Sequence, residues 1–130
     1  MNEPITAELV NRRSKLLTTR ITTTAMSTYT VEKNHEQASA LLKAMSNPHR
    51  LLVLCHLARG EKCVGELEEI VGLSQSALSQ HLARLRHDSV VKTRRDAQTI
   101  YYSLRGDDAM TILDALASLF PVVEDARIAS

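Results

Sequence analysis

Residues 73–86 read LSQSALSQHLARLR, and no other stretch of the 130-residue chain constrains its fold so tightly. Leu78, Leu82 and Leu85 recur at i, i+4 and i+7, the spacing of one helix face. Ser74 stands where an N-cap belongs, so a helix is expected from there to about His87. The opposite face carries Gln75, Ser76, Ser79 and Gln80, two amides and two hydroxyls. A helix face that only meets water is usually built from Glu and Lys. Short, uncharged, hydrogen-bonding side chains instead suit close approach to another polar surface.

The flanking residues set this helix in a motif. Val64 to Val71 is a short helical pattern, with Leu67, Ile70 and Val71 on one side and Glu66, Glu68 and Glu69 mostly on the other. Gly72-Leu73 makes a tight turn into Ser74. Two short helices joined by a Gly-containing turn read as a helix-turn-helix. Next comes VVKTRRDAQTIYYSL, residues 90–104, where β-branched and aromatic residues flank the polar tip Asp96-Ala97-Gln98. That is a β-hairpin pattern. Ile100, Tyr102 and Leu104 alternate and are expected to face inward, while Arg94 and Arg95 approach the tip.

Upstream, an apolar stripe of Ala38, Leu41, Leu42 and Met45 marks a helix from about Val31 to Ser46. Asn47-Pro48 breaks it and opens a second helix through about Ala58, with Leu51, Leu52, Leu54, Cys55 and Leu57. A last helix spans about Asp107 to Phe120, ended by Pro121, and is apolar over most of its circumference. So apolar a terminal helix needs a second partner surface, and dimerisation is the simplest supply. Residues 1–30, rich in Thr and Arg, are expected to be a flexible arm, either a plain tail or a basic segment touching DNA, with Met26 a candidate alternative start. The domain is then 31–120 and residues 121–130 a tail.

Charge is uneven. The total is +1, but residues 74–106 hold six Lys/Arg against Asp88 and Asp96, while residues 107–130 hold one Arg against five carboxylates. Positive charge accompanies the polar helix, as a polyanion partner requires. No run of eighteen apolar residues suggests a transmembrane helix, and no apolar h-region suggests a signal peptide. Two cysteines make no secreted disulfide framework, so a cytoplasmic, reducing setting is expected. No nucleophile–base pair, phosphate loop or metal cluster is apparent, so no enzyme activity and no cofactor are expected.

Helix-turn-helix plus basic hairpin describes a winged helix, mainly α with a small β wing, whose partner is double-stranded DNA. Gln bonds adenine in bidentate fashion, Ser donates or accepts, and Ala83 suits a thymine methyl. The candidate DNA-binding residues are Ser74, Gln75, Ser76, Ser79, Gln80, Arg84, Arg94, Arg95 and Gln98, with Arg86 also placed to neutralise phosphate. His81, at the edge of the buried side, is open to packing, capping or a DNA contact.

VGELEEIVGLSQSALSQHLARLR, with VKTRRDAQTIYYSL after it, resembles the ArsR/SmtB family of dimeric winged-helix repressors, and LLKAMSNPHRL is similar to that family's second-helix entry. The resemblance covers roughly residues 35–120 and implies a transcriptional repressor that binds a pseudo-palindromic operator as a homodimer, with the first and last helices forming its interface. It also frames the sensing question. Family metal sites use Cys-x-Cys at the third helix or Asp/His ligands on the last. Here Gly65 replaces the second thiol of Cys63-Val64-Gly65, and the last helix has Asp107, Asp108 and Asp114 but no His, so no metal site is expected. Thiol-switch members pair a second-helix Cys with a last-helix Cys. Cys55 matches the first, and no Cys matches the second. A redox or sulfur-species response through Cys55 and Cys63, in a repressor or anti-silencer, is the alternative. Cys55, among leucines, reads as a buried inert thiol, and Cys63 as the more exposed one. A winged interaction module that does not read DNA is a further alternative.

Overall fold

The computed structural model describes residues 24–123. Residues 1–23 and 124–130, which hold most of the expected arm and tail, lie outside the described residues. Helix α1 covers residues 24–33. Threonine is a weak helix former, but here its hydroxyls bond back to the preceding turn: Thr28 Oγ1 to the carbonyls of Thr24 and Ala25, and Thr30 Oγ1 to that of Met26 at 2.8 Å. A turn at Asn34 separates α1 from α2, His35–Met45.

Three further helices match the sequence pattern closely. Helix α3, Pro48–Leu57, is capped by Asn47, whose Oδ1 accepts from the backbone N–H of His49 and Arg50, with Pro48 in the first turn. Helix α4, Val64–Val71, ends at Gly72, which takes the left-handed φ of 70° that an L side chain resists. Helix α5, Gln75–His87, starts at Ser74, whose Oγ accepts from Ala77 N–H. Its C-terminus is a Schellman turn in which Val90 N–H bonds Leu85 C=O and Ser89 N–H bonds Arg86 C=O, with Ser89 at φ 58° in the position Gly usually fills.

The hairpin is present as β2, Val91–Asp96, and β3, Thr99–Leu104, paired antiparallel from Val91↔Leu104 to Asp96↔Thr99. The sheet has a third strand that the sequence pattern did not indicate. Lys62–Cys63, β1, pairs antiparallel with Tyr102 and Tyr101 of β3, giving the order β1-β3-β2. A two-residue strand has no room for alternation, so only its backbone pairing reveals it.

Helix α6, Asp108–Leu119, completes the described chain. The core gathers Ala44, Met45, Val53, Leu54, Leu57, Leu67, Leu78, Leu82, Leu85, Val90, Val91 and Ala109. The three leucines that defined α5 are at most 1% exposed, so its apolar stripe is the side that anchors it. Tyr102 and Leu104 pack against this core, as expected. Ile100 does not and is 40% exposed. It shares their face of β3, but the hairpin has by then run past the core beneath it. In α6 only Ala109 is buried, Ile112 and Leu113 pack on the core, and Leu119 and Phe120 are 70% and 74% exposed.

Candidate nucleic-acid interface

The buried leucine stripe of α5 turns Gln75, Ser76, Ser79, Gln80 and Ala83 outward, and all five are exposed. Ser74 Oγ and Ser76 Oγ lie 3.4 Å apart at the helix start. The side chains of Gln75, Ser79 and Gln80 make no hydrogen bond among the described residues. Their donors and acceptors are therefore available to a partner.

The arginines are arranged less simply. Arg84 Nε donates to Asp88 Oδ2 at 2.6 Å, one helical turn on. This bond, and a weaker one from His87, holds the Asp88 carboxyl below the usual carboxylate range. Arg94 clamps Glu61 with three contacts of 2.6 to 2.9 Å and lies over the Tyr101 ring at 4.3 Å. Tyr101 is its directly opposed residue on β3. The bidentate bond pushes Arg94 up and Glu61 down. Glu61 immediately precedes β1, so the pair ties the entry of that strand to the wing. Arg95 Nε donates to Ala97 C=O at 3.2 Å and braces the wing turn, where Ala97 takes φ 54°. Gln98 is exposed in that turn. Arg84 and Arg94, expected as open cations, are thus each engaged by a carboxylate of the same chain.

Behind α5, Arg50 is a residue that the sequence pattern gave no reason to single out. The carbonyl of Ala44, near the end of α2, would ordinarily accept from the N–H of residue 48. That residue is Pro48 and has no N–H. Arg50 Nε fills the vacancy at 2.6 Å, and its Nη2 reaches Lys43 C=O at 3.1 Å. A proline four residues after a helical carbonyl is itself a signal to look for such a donor. Beside Arg50, the His49 and His81 rings meet at 5.5 Å, tilted by 37°. Burial, then the charges of Arg50 and His49, lower the His81 pKa. His81 is thus a half-buried contact between α3 and α5.

The two thiols are placed opposite to expectation. Cys55 is exposed and Cys63 half-buried, both free. On α3 the buried positions are Val53, Leu54 and Leu57, and Cys55 is turned away from them. Cys63 is drawn into the sheet by pairing with Tyr101. At the start of α4 its N–H donates to Glu66 Oε1, which lowers the Glu66 pKa. Among the described residues no group of three His, Cys, Asp or Glu is placed to hold a metal, and no helix is long and apolar enough to cross a membrane.

A helix-turn-helix with a hairpin beside its second helix defines the winged-helix class of DNA-binding regulators. Residues 47–93 match the model of the bacterial regulatory protein arsR family. The chain is 54% identical over 91 residues to the nodulation protein NolR of Rhizobium meliloti, covering 70% of this chain and 75% of that one. It is 49% identical over 90 residues to the transcriptional activator HlyU of Vibrio cholerae, covering 69% and 83%. The crystal structure of NolR from Sinorhizobium fredii superimposes with a TM-score of 0.66 at 52% identity, over 71% of this chain and 92% of that one. The chain belongs to the ArsR family of bacterial transcriptional regulators.

Proposed function

We propose that this protein is a sequence-specific repressor that binds a pseudo-palindromic operator as a homodimer. Each α5 enters a major groove, and half-sites lie about one helical turn apart. The observation that carries this reading is the outward face of α5, where Gln75, Ser79 and Gln80 are exposed and, among the described residues, unpartnered over a fully buried leucine stripe. Gln75 and Gln80 read base edges, Ser74, Ser76 and Ser79 complete the contact, and Arg95 and Gln98 carry the wing to the adjacent groove. Residues 31–120 form the DNA-binding and dimerisation domain, with 1–30 as its arm and 121–130 as its tail, and the protein acts in the cytoplasm.

Support for the dimer comes from apolar surface that one chain leaves uncovered: Leu119 and Phe120 at the end of α6, Val122 and Val123 beyond it, and Leu42 on α2. Helix α2, which carries most of the helix expected from about Val31 to Ser46, and α6 supply the interface. The bound dimer represses by occupying the promoter.

The test is fluorescence anisotropy of the reduced protein on the duplex upstream of its own gene, against a scrambled duplex. Preference by a factor of about 10³ or more is expected. Gln75→Ala is expected to lose about 1–3 kcal/mol of that discrimination. Equal loss on both duplexes would remove Gln75 as a base reader. A flat salt response would favour an interaction module that does not read DNA.

A further inference from the structure

We infer that the open groove between α5 and β3 seats one sugar–phosphate strand of the bound duplex, with Arg86 as its cation and Tyr102 as its neutral donor. The inference rests on the DNA-binding reading above and assigns the backbone contact within it. Val64, Ser79, Ala83, Arg86, His87 and Tyr102 line the groove.

Three observations converge there. The first is a helical stripe. Ser79, Ala83 and Arg86 recur at i, i+4 and i+7, so the face that starts with a base-reading hydroxyl continues along the groove and ends in a guanidinium. The second is reach. Arg86 lies eleven residues after Gln75, about 16 Å further along the helix axis at 1.5 Å per residue. A recognition helix contacts base edges with its N-terminal residues, so the far end of α5, where Arg86 stands, is the part left for the backbone. The third is availability. Arg84 is held by Asp88 and Arg94 by Glu61. Arg86 is exposed and forms no ion pair or side-chain hydrogen bond among the described residues. The Tyr102 hydroxyl is likewise unpartnered among them, on a ring whose body packs against the core. The α4 N-terminus at the far wall already has its own carboxylate, Glu66 on Cys63 N–H, so positive charge in the groove comes from Arg86.

The partition is read by salt titration of the full chain on a scrambled duplex, which needs no knowledge of the operator. Arg86→Gln is expected to lower the slope of log K against log salt by about 0.9 per bound chain, and to weaken a scrambled duplex and the upstream duplex by the same factor. Arg86→Lys is expected to retain the slope. Arg84→Gln is expected to leave it unchanged. Tyr102→Phe is expected to weaken binding at every salt concentration without changing the slope, and circular dichroism melts confirm that each variant is folded. An unchanged slope for folded Arg86→Gln, or an equal fall for Arg84→Gln, overturns the assignment of the strand to this groove. If the unaltered protein itself shows no salt-dependent binding to either duplex, the DNA-binding reading fails first, and the two failures are distinct.

Discussion

Replacing Arg50 by Ala tests how the helix that precedes the DNA-binding motif is held. Its guanidinium makes two bonds to the end of α2, and they are unequal. The Lys43 carbonyl, 3.1 Å from Nη2, also accepts from Ser46 N–H, so its loss costs a few tenths of a kcal/mol. The Ala44 carbonyl has no helical donor because Pro48 lacks an N–H, and the 2.6 Å bond from Arg50 is part-buried. A charge-assisted bond of this kind contributes about 1.5–3 kcal/mol, and losing it strands a carbonyl on a residue whose side chain is fully in the core. Arg50→Ala is therefore expected to cost about 2 kcal/mol. In urea, with a slope of about 1–2 kcal/mol per molar for a chain of this size, the midpoint falls by about 1–2 M. The measurement is made at one fixed protein concentration, because the proposed dimer would couple stability to mass action. Arg50→Lys keeps the charge but not the fork, and should recover only part of the loss. A second readout is independent of stability. The Arg50 charge helps to lower the His81 pKa, so in Arg50→Ala the His81 titration monitored by NMR should move up. A loss below about 0.5 kcal/mol, with His81 unmoved, would refute both the carbonyl argument and the cluster.

The His81 shift has a sign of its own. Because folding lowers its pKa, the unfolded chain takes the proton first, so this contribution is complete above about pH 6.5 and is lost as pH falls through the folded value. Thermal melts between pH 7.5 and 5 (about the range of an ordinary His) should show stability falling with acid, and His81→Gln should flatten that limb; a limb unchanged in His81→Gln would assign it elsewhere. Arg50 and His49 are the titratable groups that face His81, and among the described residues no carboxylate joins them. Ser89→Gly relieves a φ of 58° in the Schellman turn and should raise stability by about 0.5–1 kcal/mol in urea unfolding; a loss would mean that the Ser89 side chain matters more than its backbone. Leu82→Ala, at a position 1% exposed, should cost about 2–5 kcal/mol in the same assay, and a smaller effect would mean that α5 is not anchored by its leucine stripe.

The parts of the fold that were legible in the sequence are those whose cause is local. Leu78, Leu82 and Leu85 repeat with the helix period, Ser74 caps the helix that begins at Gln75, Gly72 permits the turn, and the polar tip separates two β-rich runs; each signal lies within a few residues of its effect. The Arg84–Asp88 tie was equally local, a charge pair at i and i+4, and that spacing alone argues against Arg84 as an open cation. The Glu61–Arg94 clamp was not legible, because its partners are 33 residues apart and meet only once β1 has joined the sheet. Cys55 was misplaced for a different reason. The run Leu51-Leu52-Val53-Leu54-Cys55 is apolar all round, so periodicity could not say which side faces in, and Cys55 falls on the outer side with Leu52.

The same distinction orders the candidate site. A base-reading face is defined by what a helix excludes from its core, and that is written in a thirteen-residue helix with a regular leucine period. Phosphate contacts depend on which cations remain unpaired after folding, and pairing is a tertiary property. Six Lys/Arg between residues 74 and 106 mark the region as a candidate polyanion site, but they do not rank themselves. Two of the arginines commit their charge to carboxylates: Arg84 to Asp88 at the C-terminal end of α5 itself, and Arg94 to Glu61, which ties the wing to the entry of β1. In the proposed complex the Glu61–Arg94 tie acts on DNA indirectly, by holding the wing in place before binding, so that less ordering is left for the complex to impose. Breaking the Glu61–Arg94 tie should for that reason slow or weaken wing docking while leaving the α5 contacts intact. Glu61→Gln tested on duplexes altered only where the wing reaches, against duplexes altered only under α5, separates the two. A loss of discrimination under α5 would mean that the wing and the reading helix are not independent supports.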